Sequence, residues 1–563
     1  MGNVLSSKYT YQDTVLDLGS NGSLLGTIID DKVKRFTAVP FAQPPVGPLR
    51  WRKTRPLDDD YVYCGGGDKQ DGETPPPMNC QEFGAVCWQS QYTKVAAKKE
   101  GTLFSEDCLT LNIWMPAGDP PPEGWPVMLW FHGKSAVSIP CHMSHHAHYL
   151  RGALNCIFIA VGYRLSLFGF LASQELADEA ATDGPDAAWG NYGLWDQWTA
   201  IMWLRTYGGR LGADLGNVSL AGRSAGAYSA HAQAAHAFFM TENDPAGSDP
   251  TLFRRLVMYS NAIPTNPKSL QDVQPQFDEL VAACGISSSL SGKEKLAVLR
   301  DVDAKTLISK VMGMKAHTFR PVADGKFFPV DLFDRFMKGD FAREFEKRKL
   351  SILIGEVLNE ETLYRQTNPP KDMDNLRSQI ANYYPLPVTD KIIEAYIKNR
   401  IHESSALPDP DPNIDSVQKV FGDIVSDGQV RAPSRLLLQQ LKDAGVPLSR
   451  VHRYLISWKP SFAREAIPDE MGIPHAADRP IWNYSVMHGP TEEEKTTMKT
   501  WIGDLSEFVH GQEMEYGTTS WQQHKELCAD GRISIEQDHK WDYLLKVAHI
   551  MAGNGTIMAE KTL

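Results

Sequence analysis

Apolar residues along this chain form short, nearly continuous runs that alternate with stretches of helical periodicity. The runs CLTLNIWMP, WPVMLWFHG and CIFIAVGYRL begin at residues 108, 125 and 156 and have the length and composition of buried strands. NVSLAG, FRRLVMYSN and KLSILIGEVLNEE, beginning at residues 217, 253 and 349, are further strand candidates, and the segments that begin at residues 192 and 225 are predicted helices. The alternation predicts an α/β fold, with a large and mostly parallel sheet covered by helices on both faces.

The remaining segments predict insertions into this fold. Residues 265–345 and 366–450 are mainly helical in pattern and are expected to form a cap beside the site. Residues 64–105 are rich in glycine, proline and polar residues and predict a long surface loop. Since the chain has neither internal repeats nor a low-complexity linker, we expect residues 13–563 to form one large domain after a short tail at residues 1–12.

The segment VSLAGRSAGAYSAH, residues 218–231, predicts a strand, a sharp turn and a helix. The turn from Gly222 to Gly226 places Ser224 in the G-x-S-x-G pattern of a nucleophile elbow, which exposes a serine hydroxyl at the start of a helix. Such a hydroxyl needs a base to remove its proton and N–H donors for the developing oxyanion. The sequence therefore predicts a serine nucleophile, with the backbone N–H of Ala225 as one donor.

Composition and charge argue against several other classes of protein. The 563 residues are 42% hydrophobic and 22% charged, with a net charge of −12 and no basic stripe, so we expect no nucleic-acid partner. The eight cysteines form no C-x-x-C pair, which argues against a zinc site. His142, His145, His146 and His148 lie close together, but no neighbouring cysteine or acidic residue completes a ligand set, so we predict no metal site.

The N-terminal sequence, MGNVLSSKYT, bears on location. It lacks the apolar core of a secretory signal, so we expect a cytoplasmic protein. It fits M-G-x-x-x-[ST], which makes Gly2 a candidate for myristoylation and predicts weak association with membranes. The longest apolar run, which begins at Cys156, contains Arg164 and is too short to span a bilayer.

Five blocks of sequence carry a resemblance to a known family. PFAQPPVGPLRWR, SEDCLTLNIWMP, VGYRLSLFGFL, GNYGLWDQWTAIMWLR and GRSAGAYS resemble, in the same order, the family of type-B carboxylesterases, cholinesterases and fungal lipases. The resemblance runs from about residue 13 to about residue 510. It implies the α/β-hydrolase fold and a Ser-Glu-His triad that hydrolyses small-molecule carboxylic esters without a cofactor.

The resemblance assigns roles to individual residues. Ser224 is the nucleophile, and LIGEVLNEETLYR resembles the segment that carries the acid of the triad, which places that role on Glu360 with Glu361 as the near rival. MGIPHAADRP resembles the family's G-x-x-H-x-x-[DE] segment and makes His475 the base. The chain order of serine, acid and histidine agrees with the α/β-hydrolase pattern.

Two structural pairs are also implied by the resemblance. Cys80 and Cys108 resemble the first disulfide of the family, although a reducing cytosol works against that bond. Arg50 and Glu106 resemble a buried structural ion pair of the family.

The chain departs from the family pattern at two places near the expected site. Where the family has H-G-G-G, this chain has H-G-K-S, so backbone donors for the oxyanion are expected from Lys134 and Ser135 in place of glycines. Where the family has glutamate before the nucleophile, this chain has Arg223. Two interpretations of Arg223 stand: it binds a carboxylate on the substrate, or it neutralises a buried structural carboxylate.

The sequence favours a serine hydrolase that cleaves an ester through an acyl-enzyme. Two alternatives have the same fold: an acyltransferase or cyclase, in which a hydroxyl group other than water accepts the acyl group, and a non-catalytic relative that binds a partner. The presence of Ser224, Glu360 and His475 argues against the non-catalytic relative.

Overall fold

In a computed structural model of the protein, the predicted strands lie in one sheet of 13 strands. The structure describes residues 9–65, 75–89, 103–133, 154–240, 245–367, 369–398, 401, 414–464, 466–484 and 489–553. Within these ranges the strands are β1 (Tyr11–Asp17), β2 (Ser23–Ile29), β3 (Val33–Pro40), β4 (Met78–Asn79), β5 (Val86–Cys87), β6 (Phe104–Ser105), β7 (Thr110–Pro116), β8 (Trp125–Phe131), β9 (Ile157–Val161), β10 (Ala213–Arg223), β11 (Arg255–Tyr259), β12 (Ser351–Val357), β13 (Val451–Ile456), β14 (Gln523–Leu527) and β15 (Ile533–Gln537).

The middle of the sheet is parallel and its two margins are antiparallel. The strand order is β1-β2-β3-β7-β9-β8-β10-β11-β12-β13-β14-β15, with β4 beside β2, and β5 and β6 form a separate pair. Every neighbouring pair from β9 to β14 is parallel. Since parallel strands direct their carboxyl ends to one edge of the sheet, the loops after β8, β10 and β12 come together there.

Helices occupy the connections between these strands. The helices of the described ranges are α1 (Ser166–Phe170), α2 (Gln174–Asp183), α3 (Tyr192–Tyr207), α4 (Ala225–Phe239), α5 (Leu270–Ala283), α6 (Gly292–Asp301), α7 (Ala304–Val311), α8 (Leu332–Met337), α9 (Asp340–Lys347), α10 (Glu360–Gln366), α11 (Met373–Ala381), α12 (Leu386–Ile397), α13 (Ile414–Ser426), α14 (Ala432–Asp443), α15 (Arg479–Trp482), α16 (Glu492–His510) and α17 (Trp541–Met551). A π-helical turn, Asp427–Arg431, joins α13 to α14.

Both faces of the sheet are covered, as the continuous apolar runs predict. Along β8, Leu129 and Phe131 belong to one large buried cluster. Met128 and Trp130 belong to a second buried cluster, which includes Trp501 of α16. Alternate residues of one strand therefore face opposite cores, and this is the reason that the strand has no polar face.

Two strands, β1 and β13, differ from what the sequence pattern predicts. β1 begins at Tyr11, two residues before the predicted start of the domain. β13 has no continuous apolar run because it contains His452 and Arg453, and Arg453 is paired with Asp538 at 2.7 Å. Within the described ranges, no helix is both long enough and apolar enough to cross a membrane.

Candidate active site

Ser224 lies in the turn between β10 and α4. Its φ of 56° and ψ of −123° are in a region that costs a residue with a side chain about 1–3 kcal/mol. The turn is held by two backbone hydrogen bonds, from the Ser224 N–H to the Tyr259 carbonyl at 2.8 Å and from the Tyr228 N–H to the Ser224 carbonyl at 3.0 Å. A Cβ atom added at Gly222 would lie 2.2 Å from the backbone of Gly226, so the close crossing of strand and helix requires glycine.

Glu360 is the first residue of α10, three positions after the end of β12, and it is fully buried. Its Oε1 accepts the Val357 N–H at 3.0 Å, and its Oε2 makes a short hydrogen bond with Nδ1 of His475. The carboxylate of Glu361 has a different partner: its Oε2 accepts a hydrogen bond from Nη2 of Arg431 at 2.6 Å. Burial opposes ionisation of Glu361, but the Arg431 charge prevails and lowers its pKa. The structure thus brings Glu360, and not Glu361, to His475.

The segments that carry Glu360 and His475 are joined directly. Asn359 forms an isolated parallel bridge with Pro474. The Asn359 N–H donates to the Ile473 carbonyl at 3.0 Å, and the Ile473 N–H donates to Oδ1 of Asn359 at 3.0 Å. These contacts connect residues more than 100 positions apart and fix the imidazole against the carboxylate.

Ser224 and His475 line one cavity of about 160 Å³, together with Ala225 at the start of α4. The side chain of His475 is 5% exposed, and its Nε2 atom is buried without a hydrogen-bond partner in the described part of the chain. The ring of Tyr364 lies 5.6 Å from the imidazole, centre to centre. Burial raises the pKa of Tyr364 well above its usual value, so this hydroxyl remains a neutral donor and acceptor. The imidazole nitrogen without a described partner thus belongs to a residue that lines the same cavity as the serine.

The loop after β8 approaches the elbow at Gly133. A Cβ atom added at Gly133 would lie 2.8 Å from the carbonyl oxygen of Arg223 and 3.2 Å from Cβ of Ser224, so the Gly133 backbone is in contact with the serine turn. Lys134 and Ser135, predicted as oxyanion donors, lie outside the described residues, and so do Gly2 and the histidine cluster at positions 142–148.

Arg223 is not among the described residues that line the cavity, and the substrate-binding interpretation lacks a geometric basis. The arginine is 4% exposed, its Nη1 is hydrogen-bonded to Oδ1 of Asp478, and its Cζ lies 5.1 Å from the centre of the Tyr259 ring. Because Asp478 is itself buried, it needs a cation beside it. The alternative interpretation, a structural counter-ion, agrees with these contacts.

The pairing of Cys80 with Cys108 that the resemblance implies does not form in the structure. Cys108 forms its disulfide with Cys87, across a sequence separation of 21 residues and a Cα–Cα distance of 5.2 Å. Cys80 is a free, fully buried thiol, with its N–H donating to Leu25 at 2.8 Å and its carbonyl accepting from Thr37 at 2.7 Å. Those two backbone bonds hold Cys80 in the core, and burial raises its pKa to about 12.

The ion pair implied for Arg50 and Glu106 is present. Nε of Arg50 donates to Oε2 of Glu106 at 2.7 Å, and Nη1 of Arg50 donates to the carbonyl of Val302 at 2.7 Å. The pair therefore joins the N-terminal loops to the helical insertion, which is a structural role.

Sequence reasoning missed the polar residues that the cap contributes to the cavity. Segments 265–345 and 366–450 were expected beside the site, but no motif indicated which of their side chains line it. The structure places Arg320, Tyr383 and Gln429 in the cavity wall, together with Asn261 from the loop after β11. A single arginine in a helical insertion carries no local signal of such a position.

Comparison with known proteins agrees with this fold. Residues 12–541 match the family described as Carboxylesterase family. A Schizosaccharomyces pombe protein named as an uncharacterized esterase/lipase and a carboxylic ester hydrolase of Gibberella moniliformis are each 34% identical over 550 residues, covering 96% of both chains. Liver carboxylesterase B-1 of Rattus norvegicus is 25% identical over 515 residues, covering 86% of this chain and 83% of the relative.

The match to the family model covers nearly the whole chain, and the chain belongs to the carboxylesterase family. It is a carboxylic ester hydrolase of the α/β-hydrolase fold.

Proposed function

We propose that Ser224, His475 and Glu360 form a catalytic triad that cleaves a small-molecule carboxylic ester through an acyl-enzyme. The observation that carries the proposal is the orientation of the imidazole. Nδ1 of His475 is hydrogen-bonded to a fully buried carboxylate, Nε2 lacks a described partner, and His475 lines the same cavity as Ser224. A base in this arrangement has one nitrogen fixed and the other available for a proton.

In the proposed reaction, Nε2 of His475 takes the proton of the Ser224 hydroxyl as its oxygen attacks the carbonyl carbon of the ester. The carbonyl oxygen becomes an oxyanion, which the Ala225 N–H at the start of α4 stabilises together with donors from the loop that follows Gly133. The imidazolium then gives its proton to the departing alcohol. A water molecule, deprotonated by the same nitrogen, releases the acid. Glu360 holds the Nδ1–H tautomer and stabilises the imidazolium.

A fluorophosphonate, which labels activated serines, tests the nucleophile. We expect labelling of the parent protein and none of Ser224→Ala, with turnover of a neutral aryl ester reduced by at least about 1,000-fold. Labelling of Ser224→Ala to the same extent as the parent would overturn the assignment. A competing alcohol in the same assay separates hydrolysis, which yields the free acid, from acyl transfer, which yields a new ester.

The neighbouring glutamates provide a matched test of the acid. Glu360→Gln keeps the size of the side chain and removes the charge beside His475, so we expect kcat to fall by about 10,000-fold. Glu361→Gln weakens the contact with Arg431 and is expected to lower kcat by less than about 10-fold. Circular dichroism checks that both variants are folded. A reversed order of the two effects would assign the acid to Glu361.

A further inference from the structure

The cavity that Ser224 and His475 share contains a cation that has no acidic partner among the described residues. Arg320 lines this cavity, and no aspartate or glutamate is among the described residues of its wall. In the described part of the chain, Arg320 forms no ion pair within 4.0 Å. A guanidinium beside an apolar pocket, without a counter-ion, favours a ligand that supplies negative charge.

The described groups that hydrogen-bond or stack with Arg320 are neutral, and they leave part of its donor set unused. Its Nε donates to the carbonyl of Asn382 at 3.2 Å, and its Nη1 donates to Oε1 of Gln429 at 2.9 Å. Its Cζ lies 4.7 Å from the centre of the Tyr383 ring. Nη2 donates to none of the residues that the structure describes. The guanidinium is therefore oriented by neutral groups while one of its ends remains available.

A second cation, Lys268, adds to the positive charge around Arg320. Lys268 lies near enough to Arg320 for the two cations to interact, and its Nζ donates to the Ala381 carbonyl at 2.7 Å. Burial, followed by the charge of Arg320, lowers the pKa of Lys268 to about 8, while the more weakly felt Asp272 acts in the opposite direction. An anion bound at Arg320 would relieve this repulsion.

The backbone that carries Arg320 is anchored before any ligand binds. The Thr318 N–H donates to Oδ1 of Asn382 at 3.3 Å, and Val322 exchanges two hydrogen bonds with the side chain of Asn191, at 2.8 and 2.9 Å. Gln429, which orients the guanidinium, is 2% exposed and lies in the π-helical turn between α13 and α14. Interruptions of this kind in a helix are frequent at functional sites, and a group held in advance loses little entropy on binding.

Two tyrosine rings connect Arg320 to the reacting residues. The ring of Tyr364 lies 5.6 Å from that of His475 and 6.4 Å from that of Tyr383, over which Arg320 lies. Two tyrosine rings thus lie between the guanidinium and the imidazole, in a series of three successive contacts along one wall. An ester held at both places has its charge separated from its scissile bond by an apolar spacer.

We propose, on the basis of the function proposed above, that this enzyme prefers esters that carry a carboxylate remote from the scissile bond, and that Arg320 binds this carboxylate. Two probes place the charge on either side of the ester: the monomethyl ester of hexanedioic acid and 6-acetoxyhexanoate. Each is compared with its neutral counterpart, the dimethyl ester or the methyl ester of 6-acetoxyhexanoic acid. In the parent we expect higher kcat/KM for the charged member of at least one pair.

Arg320→Gln tests the residue, and the readout is the ratio of kcat/KM for the charged and neutral members of the preferred pair. We expect this ratio to fall by about 10- to 100-fold, mainly through KM, because a charge-assisted hydrogen bond is lost. Arg320→Lys is expected to retain part of the preference, since it keeps the charge. Arg335→Gln is the matched control: Cζ of Arg335 also lies over an aromatic ring, 5.5 Å from that of Phe239, and Arg335 is outside the cavity wall.

Binding to Ser224→Ala separates this proposal from the proposed reaction. Calorimetry gives the Kd of the monomethyl ester of hexanedioic acid and of 6-acetoxyhexanoate for Ser224→Ala alone and combined with Arg320→Gln. Weaker binding of either probe to the combined variant supports the role of Arg320 even where the triad assignment fails. The proposal is overturned if each probe binds the single and the combined variant with the same Kd. It is also overturned if Arg320→Gln leaves the kcat/KM ratio unchanged.

Discussion

The ion pair of Arg223 with Asp478 gives the sharpest test of how this site is held together. The side chains are 5% and 0% exposed, and Oδ2 of Asp478 has no hydrogen-bond partner within the described ranges. Arg223→Met keeps most of the buried stem and removes the charge, which leaves the carboxylate in the interior without a cation. Breaking a buried pair from one side costs about 3–5 kcal/mol.

This free energy converts to a measurable shift in the melting temperature. With an unfolding entropy of about 2.1 cal/mol/K per residue, the 563 residues give about 1.2 kcal/mol/K, so we expect Tm to fall by about 3–4 °C. Arg223→Glu places two carboxylates together and should lower Tm further. The double variant Arg223→Met/Asp478→Leu removes both charges and should recover most of the loss. Scanning calorimetry at pH 7 measures all three variants.

A matched control and a kinetic readout decide between the two roles of Arg223. Arg343→Met removes an exposed partner of Asp340, with side chains 61% and 36% exposed, and should leave Tm unchanged. The structural interpretation requires that Arg223→Met lower Tm while the preference between charged and neutral esters stays constant. A variant with the Tm of the parent and an altered ester preference would refute this reasoning and return Arg223 to the substrate.

Further predictions concern packing, the disulfide and pH. Gly226→Ala would place a Cβ atom 1.9 Å from the Phe131 carbonyl oxygen and should prevent stable folding. Gly503→Ala is the control: it lies in α16, where the added Cβ meets no atom within 4 Å, and it should stabilise the protein by about 0.5–1 kcal/mol. Similar Tm shifts for the two variants would contradict this reasoning. Cys108→Ser opens a loop of 21 residues and should lower the free energy of unfolding by about 3 kcal/mol, measured by thermal unfolding. Non-reducing peptide mapping of the parent should link Cys108 to Cys87, and a link to Cys80 would contradict the structure. Burial lowers the pKa of His452 to about 4 in the folded state. Its stabilising contribution is therefore complete above about pH 6.5 and is lost as the pH falls toward 4, because the unfolded chain takes up the proton first. His452→Phe should flatten the fall of Tm over this pH range, and an unchanged slope would count against this reasoning.

The sequence alone was sufficient for the features that depend on near neighbours. The strand β8 is nearly continuous in apolar residues because both of its faces are buried, and this pattern is visible without coordinates. The elbow was readable for the same reason, since its two glycines and Ser224 lie within five positions. The sequence analysis did not predict strand β13, because its charged residue Arg453 is neutralised by Asp538, a partner distant in the chain.

Only the tertiary structure decided which partner each polar residue has. Glu360 and Glu361 are adjacent in sequence, but one helical step directs the first to His475 and the second to Arg431. The resemblance implied Cys80 as the partner of Cys108, but the fold brings Cys87 to Cys108 and buries Cys80 as a free thiol. Local patterns record whether a residue is buried, because burial repeats along each strand and helix. They do not record what a buried charge or thiol meets, because that neighbour comes from another part of the chain.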